Sequence, residues 1–178
     1  MSRARVRPLF PTEEKLAEGR TRGLPGAAVR EARERVRSGA ASSGLPLPSQ
    51  RITVSLAPAD VRKESPGFDL PVALSVLAAS GYLPPERLRR VGAVGELALD
   101  GGIRPVRGML SVAESARADD VSLLLVPLAG LPEAGVVEGL SMIGVLSLAE
   151  AVAASAGPDV QAGSRTEPPP RTGHLPRS

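Results

Sequence analysis

The segment Val72–Ser80 constrains the fold most, because its residues are apolar almost all round a helix. A helix without a polar face cannot lie on a protein surface and has to sit in the middle of a core. Pro71 suits the first turn of this helix, Asp69 can cap it, and Gly81 can end it. The sequence therefore predicts a central, buried helix around which the other elements pack.

An amphipathic helix is predicted over Pro25–Ser42, where apolar side chains recur at helical spacing and charged side chains fill the remaining face. Glu31 and Arg35 are placed to form an i,i+4 ion pair, and Gly44 is suited to end the helix. The recurring apolar positions are Val29, Ala32, Val36 and Ala40.

The other segments predict a mixed α/β order with one hairpin. The hairpin signal is Asp100-Gly101 followed by Ile103. Ser147 and Glu150 form a capping box for a last helix that ends at Ser155. The predicted strands are Ile52–Leu56, Val91–Leu99, Val121–Val126 and Leu140–Val145, and a further helix is predicted over Val106–Arg117.

Three zones divide the chain of 178 residues. Residues 1–22 mix prolines, glycine and charges with no sustained period, so we expect a mobile leader there. Residues 23–156 should form one folded domain. Residues 157–178 contain Pro168–Pro170 and are expected to be a disordered tail or the start of a linker.

The composition excludes several classes of protein. There is no cysteine, and the only histidine, His174, lies in the Pro-rich tail, so thiol chemistry, cysteine-zinc sites and histidine catalysis are excluded. Aromatic residues make up 2% of the chain, so the core has to be built from aliphatic side chains. No apolar stretch approaches the roughly 20 residues that span a bilayer, and no signal peptide is visible, so we expect a cytoplasmic protein without membrane contact.

No cofactor or metal site is predicted. A P-loop needs Gly-x-x-x-x-Gly-Lys-Ser/Thr, whereas Leu16 follows Lys15 and Glu64 follows Lys63. Asp60, Glu64 and Asp69 cluster around one loop, but their spacing matches no calcium loop, and turn or cap chemistry accounts for them.

The basic residues are concentrated at the N-terminal end, since residues 1–50 carry a net charge of +5 and residues 101–150 a net charge of −3. Arg30, Arg33 and Arg37 on the first predicted helix are the candidate contacts to nucleic acid. Phe10 is the only aromatic residue among the N-terminal arginines, which leaves no stacking platform for single strands. The alternative is a solvated basic helix face.

Several blocks of sequence follow one another in a fixed order between residues 22 and 155. They are Gly23-Leu24-Pro25, Ala28–Ser38, Ser43-Gly44, Ile52–Val54 with Leu56–Asp60, Phe68–Pro71, and Gly95–Leu97 with Gly101. In this order they resemble the N-terminal domain of the ComM/YifB proteins, bacterial relatives of the magnesium-chelatase ATPase subunit. The resemblance implies the α/β fold of ribosomal protein S5 domain 2, which the Lon protease domain shares, followed by an AAA+ ATPase domain. Family members are hexameric helicases that promote branch migration during natural transformation.

The Lon comparison implies a domain without a catalytic dyad. Lon-type proteases place a serine after the proline of Asp-Gly-Pro-Ser and a lysine shortly after a Gly-Gly pair. Val72 and Leu110 stand at the matching positions of this sequence, and neither side chain can act as nucleophile or base. Ser75 and Ser111 are nearby in sequence, but no lysine follows Lys63, so we predict no peptidase activity.

The sequence departs from the family pattern at both ends. Relatives begin with paired strands, which residues 1–22 do not show, so the opening strands are expected to be missing, and the chain is expected to end before the ATPase domain. The leading hypothesis is a non-catalytic domain that contacts an AAA+ ATPase of the same family or associates with itself. The alternatives are a DNA-binding module that uses the Arg-rich helix and a split-gene remnant without function.

Overall fold

A four-stranded parallel sheet and a separate antiparallel pair of strands organise the domain, which a computed structural model describes at residues 7–8, 27–47 and 66–157. The strands are β1 (Arg7–Pro8), β2 (Val91–Ala93), β3 (Glu96–Leu97), β4 (Ile103–Arg104), β5 (Leu123–Pro127) and β6 (Ser141–Val145). The parallel sheet has the order β1-β2-β5-β6, and β3 pairs with β4.

The described part of the chain contains five α-helices and three short 3-10 turns. The helices are α1 (Ala27–Ser42), α2 (Asp69–Ala79), α3 (Met109–Ala118), α4 (Leu131–Ala134) and α5 (Leu148–Ala156), and the 3-10 turns are Pro66–Phe68, Pro85–Leu88 and Leu128–Gly130. Helices therefore connect the parallel strands, as the crossovers of a parallel sheet require.

Alternate side chains of β5 point into two different hydrophobic clusters. Leu125 belongs to the cluster formed with α1, α2 and α5, whereas Leu124 and Val126 belong to the cluster formed with α3 and α4. Because successive side chains of a strand point to opposite faces, the sheet lies between two helical layers. This arrangement explains why β5 is an almost uninterrupted apolar run.

The predicted central helix is confirmed as α2, which contributes Leu70, Leu74 and Leu77, all fully buried. The prediction that Asp69 caps this helix was wrong. The helix begins at Asp69 itself, Phe68 occupies the cap position, and no side chain there accepts a capping hydrogen bond. The Asp69 carboxylate is absent from the cap because it binds groups on two other elements.

Three predicted helix ends are confirmed. Gly44 adopts a φ of 73° and Gly81 a φ of 86°, the left-handed conformation in which glycine commonly follows a helix. The hydroxyl of Ser147 accepts a hydrogen bond from the Glu150 N–H at 3.2 Å, while the Glu150 carboxylate accepts one from Leu146 N–H at 2.8 Å. The capping box therefore forms, with its return bond displaced by one residue.

Two predicted elements have different bounds in the structure. The strand predicted over Val91–Leu99 is divided into β2 and β3, because the chain leaves the parallel sheet at Val94-Gly95 to enter the hairpin. The hairpin at Asp100-Gly101 is confirmed, with Leu97 opposite Ile103. The helix predicted from Val106 begins at Met109, since Gly108 has a φ of 79°, outside the helical region.

The leader prediction for residues 1–22 needs correction at residues 7–8, which form β1 beside β2. A two-residue strand that contains proline gives no alternating pattern, and proline is tolerated at the edge of a sheet. The rest of the leader, the predicted strand Ile52–Leu56 and nearly all of the tail predicted over 157–178 lie outside the described residues.

Candidate functional site

The first turns of α2 and α3 meet the loops that follow the parallel strands. Leu70 N–H of α2 donates to the carbonyl of Gly95, just after β2, at 3.0 Å. Met109 of α3 packs against Gly130, just after β5, so closely that a Cβ on Gly130 would lie 2.6 Å from the Met109 Cγ. Both helices therefore begin at the carboxyl end of the sheet, where open α/β sheets have their ligand-binding sites.

Val72 and Leu110, the positions that the resemblance to Lon proteases matches with nucleophile and base, lie in these two first turns. Val72 is half-buried and packs against the larger hydrophobic cluster. Leu110 is 39% exposed. The hydroxyl of Ser75 donates to the carbonyl of Pro71 at 2.8 Å, a bond within its own helix, and the described part of the chain contains no lysine. The side chains at these positions provide hydrocarbon surface and no proton acceptor.

A carboxylate from α4 caps the N-terminus of α3. Gly108 precedes α3 and offers no side chain to its first N–H groups, and the Leu110 N–H donates to Glu133 Oε1 at 3.2 Å. A negative charge at this end of a helix is also favoured by the helix dipole. The first turn of α3 is therefore already occupied by a group of the protein itself.

Asp69 and Arg35 form the most buried ion pair of the described residues. Arg35 Nε lies 2.6 Å from Asp69 Oδ2 and Arg35 Nη2 lies 3.1 Å from Oδ1, a bidentate arrangement. The Leu97 N–H also donates to Asp69 Oδ2, at 3.1 Å. Asp69 is 1% exposed and the Arg35 side chain 22%. One carboxylate thus joins α1, α2 and β3.

Burial raises the pKa of the Asp69 carboxyl above its ordinary value, because the charged form loses its hydration. The hydrogen bonds from Arg35 and from the Leu97 N–H act in the opposite direction without cancelling this effect. The pKa of Arg35 is raised, chiefly by its hydrogen bond to Asp69. The pair has the character of a structural junction, since both carboxylate oxygens are engaged by groups of the protein.

The candidate nucleic-acid residues Arg30, Arg33 and Arg37 are all exposed on α1. Their spacing places them on one face of the helix, as predicted. Exposed glutamates share this surface, and Arg33 Nη2 lies 3.9 Å from the Glu34 carboxylate. The surface is less basic than a count of its arginines suggests, and nucleic-acid contact stays a prediction.

The sequence did not indicate the pairing of Arg35 with Asp69 or the capping of α3 by Glu133. The predicted Arg35–Glu31 pair is present at 4.0 Å, but the shorter contact of Arg35 is to Asp69. The sequence feature that pointed to this site was Asp69, an acidic residue at the start of an apolar helix that contains proline. The partners are 34 residues apart, so no local period could connect them.

The acidic loop was expected to serve turns and caps, and Asp60 and Glu64 lie outside the described residues. Within the described ranges, no group of three or more acidic or histidine side chains is close enough to hold a metal ion. Likewise, none of the described helices has the length and apolar character needed to cross a membrane.

The mixed α/β fold, in which a parallel sheet is packed with helices, is consistent with an α/β domain of the ChlI/Lon-like class. Residues 11–130 match the family model of subunit ChlI of magnesium chelatase, and the chain belongs to this family. The match begins within the segment predicted as a leader.

Proteins of several bacteria are similar to the chain. A Mycobacterium tuberculosis protein is 41% identical over 128 residues, which is 72% of this chain and 25% of that protein. YifB of Escherichia coli is 49% identical over 94 residues, 53% of this chain and 19% of YifB. The competence protein ComM of Haemophilus influenzae is 40% identical over 122 residues, 66% of this chain and 24% of ComM. The chain spans a quarter or less of the length of these curated relatives.

Proposed function

We propose that this chain is a non-catalytic ChlI/Lon-like domain that acts by contact with an AAA+ ATPase of the ComM/YifB type in DNA processing. The observation that carries the proposal is the pair Val72 and Leu110 in the first turns of α2 and α3. A Ser–Lys dyad needs a hydroxyl and a neutral lysine at these places, and hydrocarbon side chains supply neither. The name of the 40% identical relative, competence protein ComM, supports the link to natural transformation.

A folded domain without catalytic residues can still act by binding another protein. Leu110 offers partly exposed hydrocarbon at the carboxyl end, where the fold would otherwise place a catalytic group. The proposal therefore assigns the domain a binding role and assigns ATP hydrolysis to the ATPase.

Binding and ATPase assays test the proposal. The full chain is immobilised and titrated with a purified ComM-type ATPase, and the rate of ATP hydrolysis is followed with and without the chain. We expect saturable binding and a changed rate. Leu110→Glu should weaken binding at least about tenfold, since it places a charge in an apolar contact, whereas Leu146→Glu, at an exposed leucine after β6, is the matched control. Absence of binding, or equal loss with both variants, would contradict the proposal.

The enzymatic part of the proposal has its own assay. The full chain is incubated with fluorescent casein, and we expect no turnover above the buffer rate. Turnover that Ser75→Ala abolishes would show that the domain is a peptidase after all.

A further inference from the structure

The strand β6 forms one edge of the parallel sheet in the described part of the chain. It pairs with β5 along its whole length, and no described strand pairs with its other side. An edge strand presents a row of backbone N–H and C=O groups that have no partner within the sheet. The row ends at Leu146, whose N–H donates to the Glu150 carboxylate and whose carbonyl accepts from the Ile103 N–H, both at 2.8 Å. The open edge therefore comprises Ser141–Val145.

This edge lacks the features that usually keep an edge strand from pairing with another chain. Charged side chains, proline and bulges are the common protective features. Ser141–Val145 contains no charged residue and no proline, and its pairing with β5 proceeds without a bulge. By contrast, β1 at the other end of the described sheet is two residues long and contains Pro8. The unprotected edge is thus the β6 edge.

Both faces of the sheet are incompletely covered at β6. Ile143 packs against the cluster that includes Leu125, and it is only half-buried. Met142 is also half-buried, and it packs against the cluster that includes Leu124. Because successive residues of a strand point to opposite faces, a strand added beside β6 would extend both clusters. A strand that is covered on both faces needs apolar side chains at successive positions, so the edge fits an extended, mostly apolar segment.

The short helix α4 connects this edge with the contact site proposed at Leu110. Glu133 of α4 accepts a hydrogen bond from the Leu110 N–H at 3.2 Å. On the other side of α4, the Leu131 Cδ2 would lie 3.2 Å from a Cβ on Gly144 of β6. A protein that covers Leu110 is therefore only one short helix away from the open edge.

We infer that an extended, mostly apolar segment of the ATPase binds along β6 and continues the sheet through backbone hydrogen bonds. The inference rests on the proposed contact function and specifies how the partner is held. Backbone pairing supplies the affinity, and the half-buried side chains on the two faces select an apolar segment. Leu146 lies beyond the row of open backbone groups, since both its N–H and its carbonyl have partners in the chain.

Amide hydrogen exchange of the full chain, with and without a purified ComM-type ATPase, tests the inference. Exchange is followed by mass spectrometry on the peptide that contains Ser141–Val145. We expect saturating ATPase to slow the exchange of the edge amides at least about tenfold, because an added strand gives them hydrogen-bond partners. The peptide over residues 85–90, which precede β2, is the reference and should exchange equally in both states.

Lysine substitutions on β6 give a second test, because a charge at this edge would be buried in an apolar contact. Met142→Lys should weaken ATPase binding at least about tenfold. Ser141→Lys, at an exposed position of the same strand, should weaken it at least about threefold without disturbing the packing of the domain. Ser122→Lys, at an exposed position just before the inner strand β5, is the matched control and should bind as the wild type does. Far-UV circular dichroism checks that every variant is folded.

The outcomes separate this inference from the proposed function. Binding of the ATPase without slower exchange at β6, or binding that neither lysine variant weakens, would overturn the inference alone. Edge amides that already exchange slowly in the free chain would also overturn it, since another segment or a second copy then covers β6. Absence of ATPase binding would overturn the proposed function and the inference together.

Discussion

At the scale of single residues, Asp69 does more than local sequence rules assign to an acidic residue before a helix. Its carboxylate is buried, and it binds the guanidinium of Arg35 and the N–H of Leu97. A buried ion pair contributes little to the net stability of the fold, since both charged groups lose their hydration. Its value lies in geometry, because the contacts fix α1 and the hairpin against the start of α2.

The raised pKa of Asp69 sets the sign of its contribution to stability. A carboxyl whose pKa is higher in the folded than in the unfolded chain contributes most to stability at pH values below the unfolded pKa of 3.8. This contribution is lost as the pH rises through the pKa of the folded chain. We therefore expect the free energy of unfolding of the wild type, relative to Asp69→Asn, to decrease from pH 3 to pH 7. Urea unfolding followed by circular dichroism at a series of pH values measures this difference.

The reverse trend would contradict this assignment. If the advantage of the wild type over Asp69→Asn grew with pH, the bonds from Arg35 and Leu97 would outweigh the burial of the charge. Asp100→Asn serves as the control, since this carboxylate lies exposed in the hairpin turn and accepts a hydrogen bond from the Gly102 N–H.

At the scale of elements, the packing of α1 against the hairpin depends on Gly39, which has no side chain. A Cβ on Gly39 would lie 2.8 Å from Leu97 Cδ2 and 2.9 Å from the carbonyl oxygen of Ala98. The carbonyl belongs to the backbone and cannot rotate away. Close approach of α1 to the hairpin therefore requires glycine in the last turn of this helix, although glycine in a helix costs up to about 1 kcal/mol relative to alanine.

Gly39→Ala should accordingly destabilise the domain by about 1–3 kcal/mol, although alanine favours helix formation, because overpacking shifts α1 away from β3. Urea unfolding gives the value. Ala41→Gly, at an exposed position of the same helix, calibrates the helix propensity alone and should cost about 1 kcal/mol. A stabilised Gly39→Ala variant would mean that the helix is not held at this distance.

The elements also show how far local sequence patterns reach. The apolar run of α2, the glycines that end α1 and α2, and the hairpin at Asp100-Gly101 were all predicted, because each depends on residues a few positions apart. The division of Val91–Leu99 and the role of Asp69 were not, since tertiary contacts decide both. Of the candidate site, the aliphatic residues at the dyad positions were named in advance, but the Glu133 cap depends on a contact across 23 residues.

At the scale of the whole molecule, the DNA-binding alternative depends on how much net charge the α1 surface presents. Three exposed arginines share it with two exposed glutamates, Glu31 and Glu34. Three phosphate contacts would make the logarithm of the affinity fall with the logarithm of salt concentration with a slope of about −3. We expect the affinity to depend less steeply on salt concentration, because the glutamates offset most of the positive charge of the arginines.

Fluorescence polarisation with a labelled duplex across a salt series measures this slope. We expect weak binding that Arg33→Ala and Arg37→Ala change by less than about twofold. A steep salt dependence together with marked weakening in both variants would instead favour the nucleic-acid alternative, and Arg89→Ala provides the control for an exposed arginine outside α1.

The order β1-β2-β5-β6 across the described parallel sheet is also the order of these strands along the chain. During synthesis, each of these strands leaves the ribosome after the neighbour on which it pairs. The sheet can then grow by the addition of each new strand at its edge, and no later strand has to insert between two strands that are already paired. Folding of this sheet can therefore follow translation from the N-terminus onward.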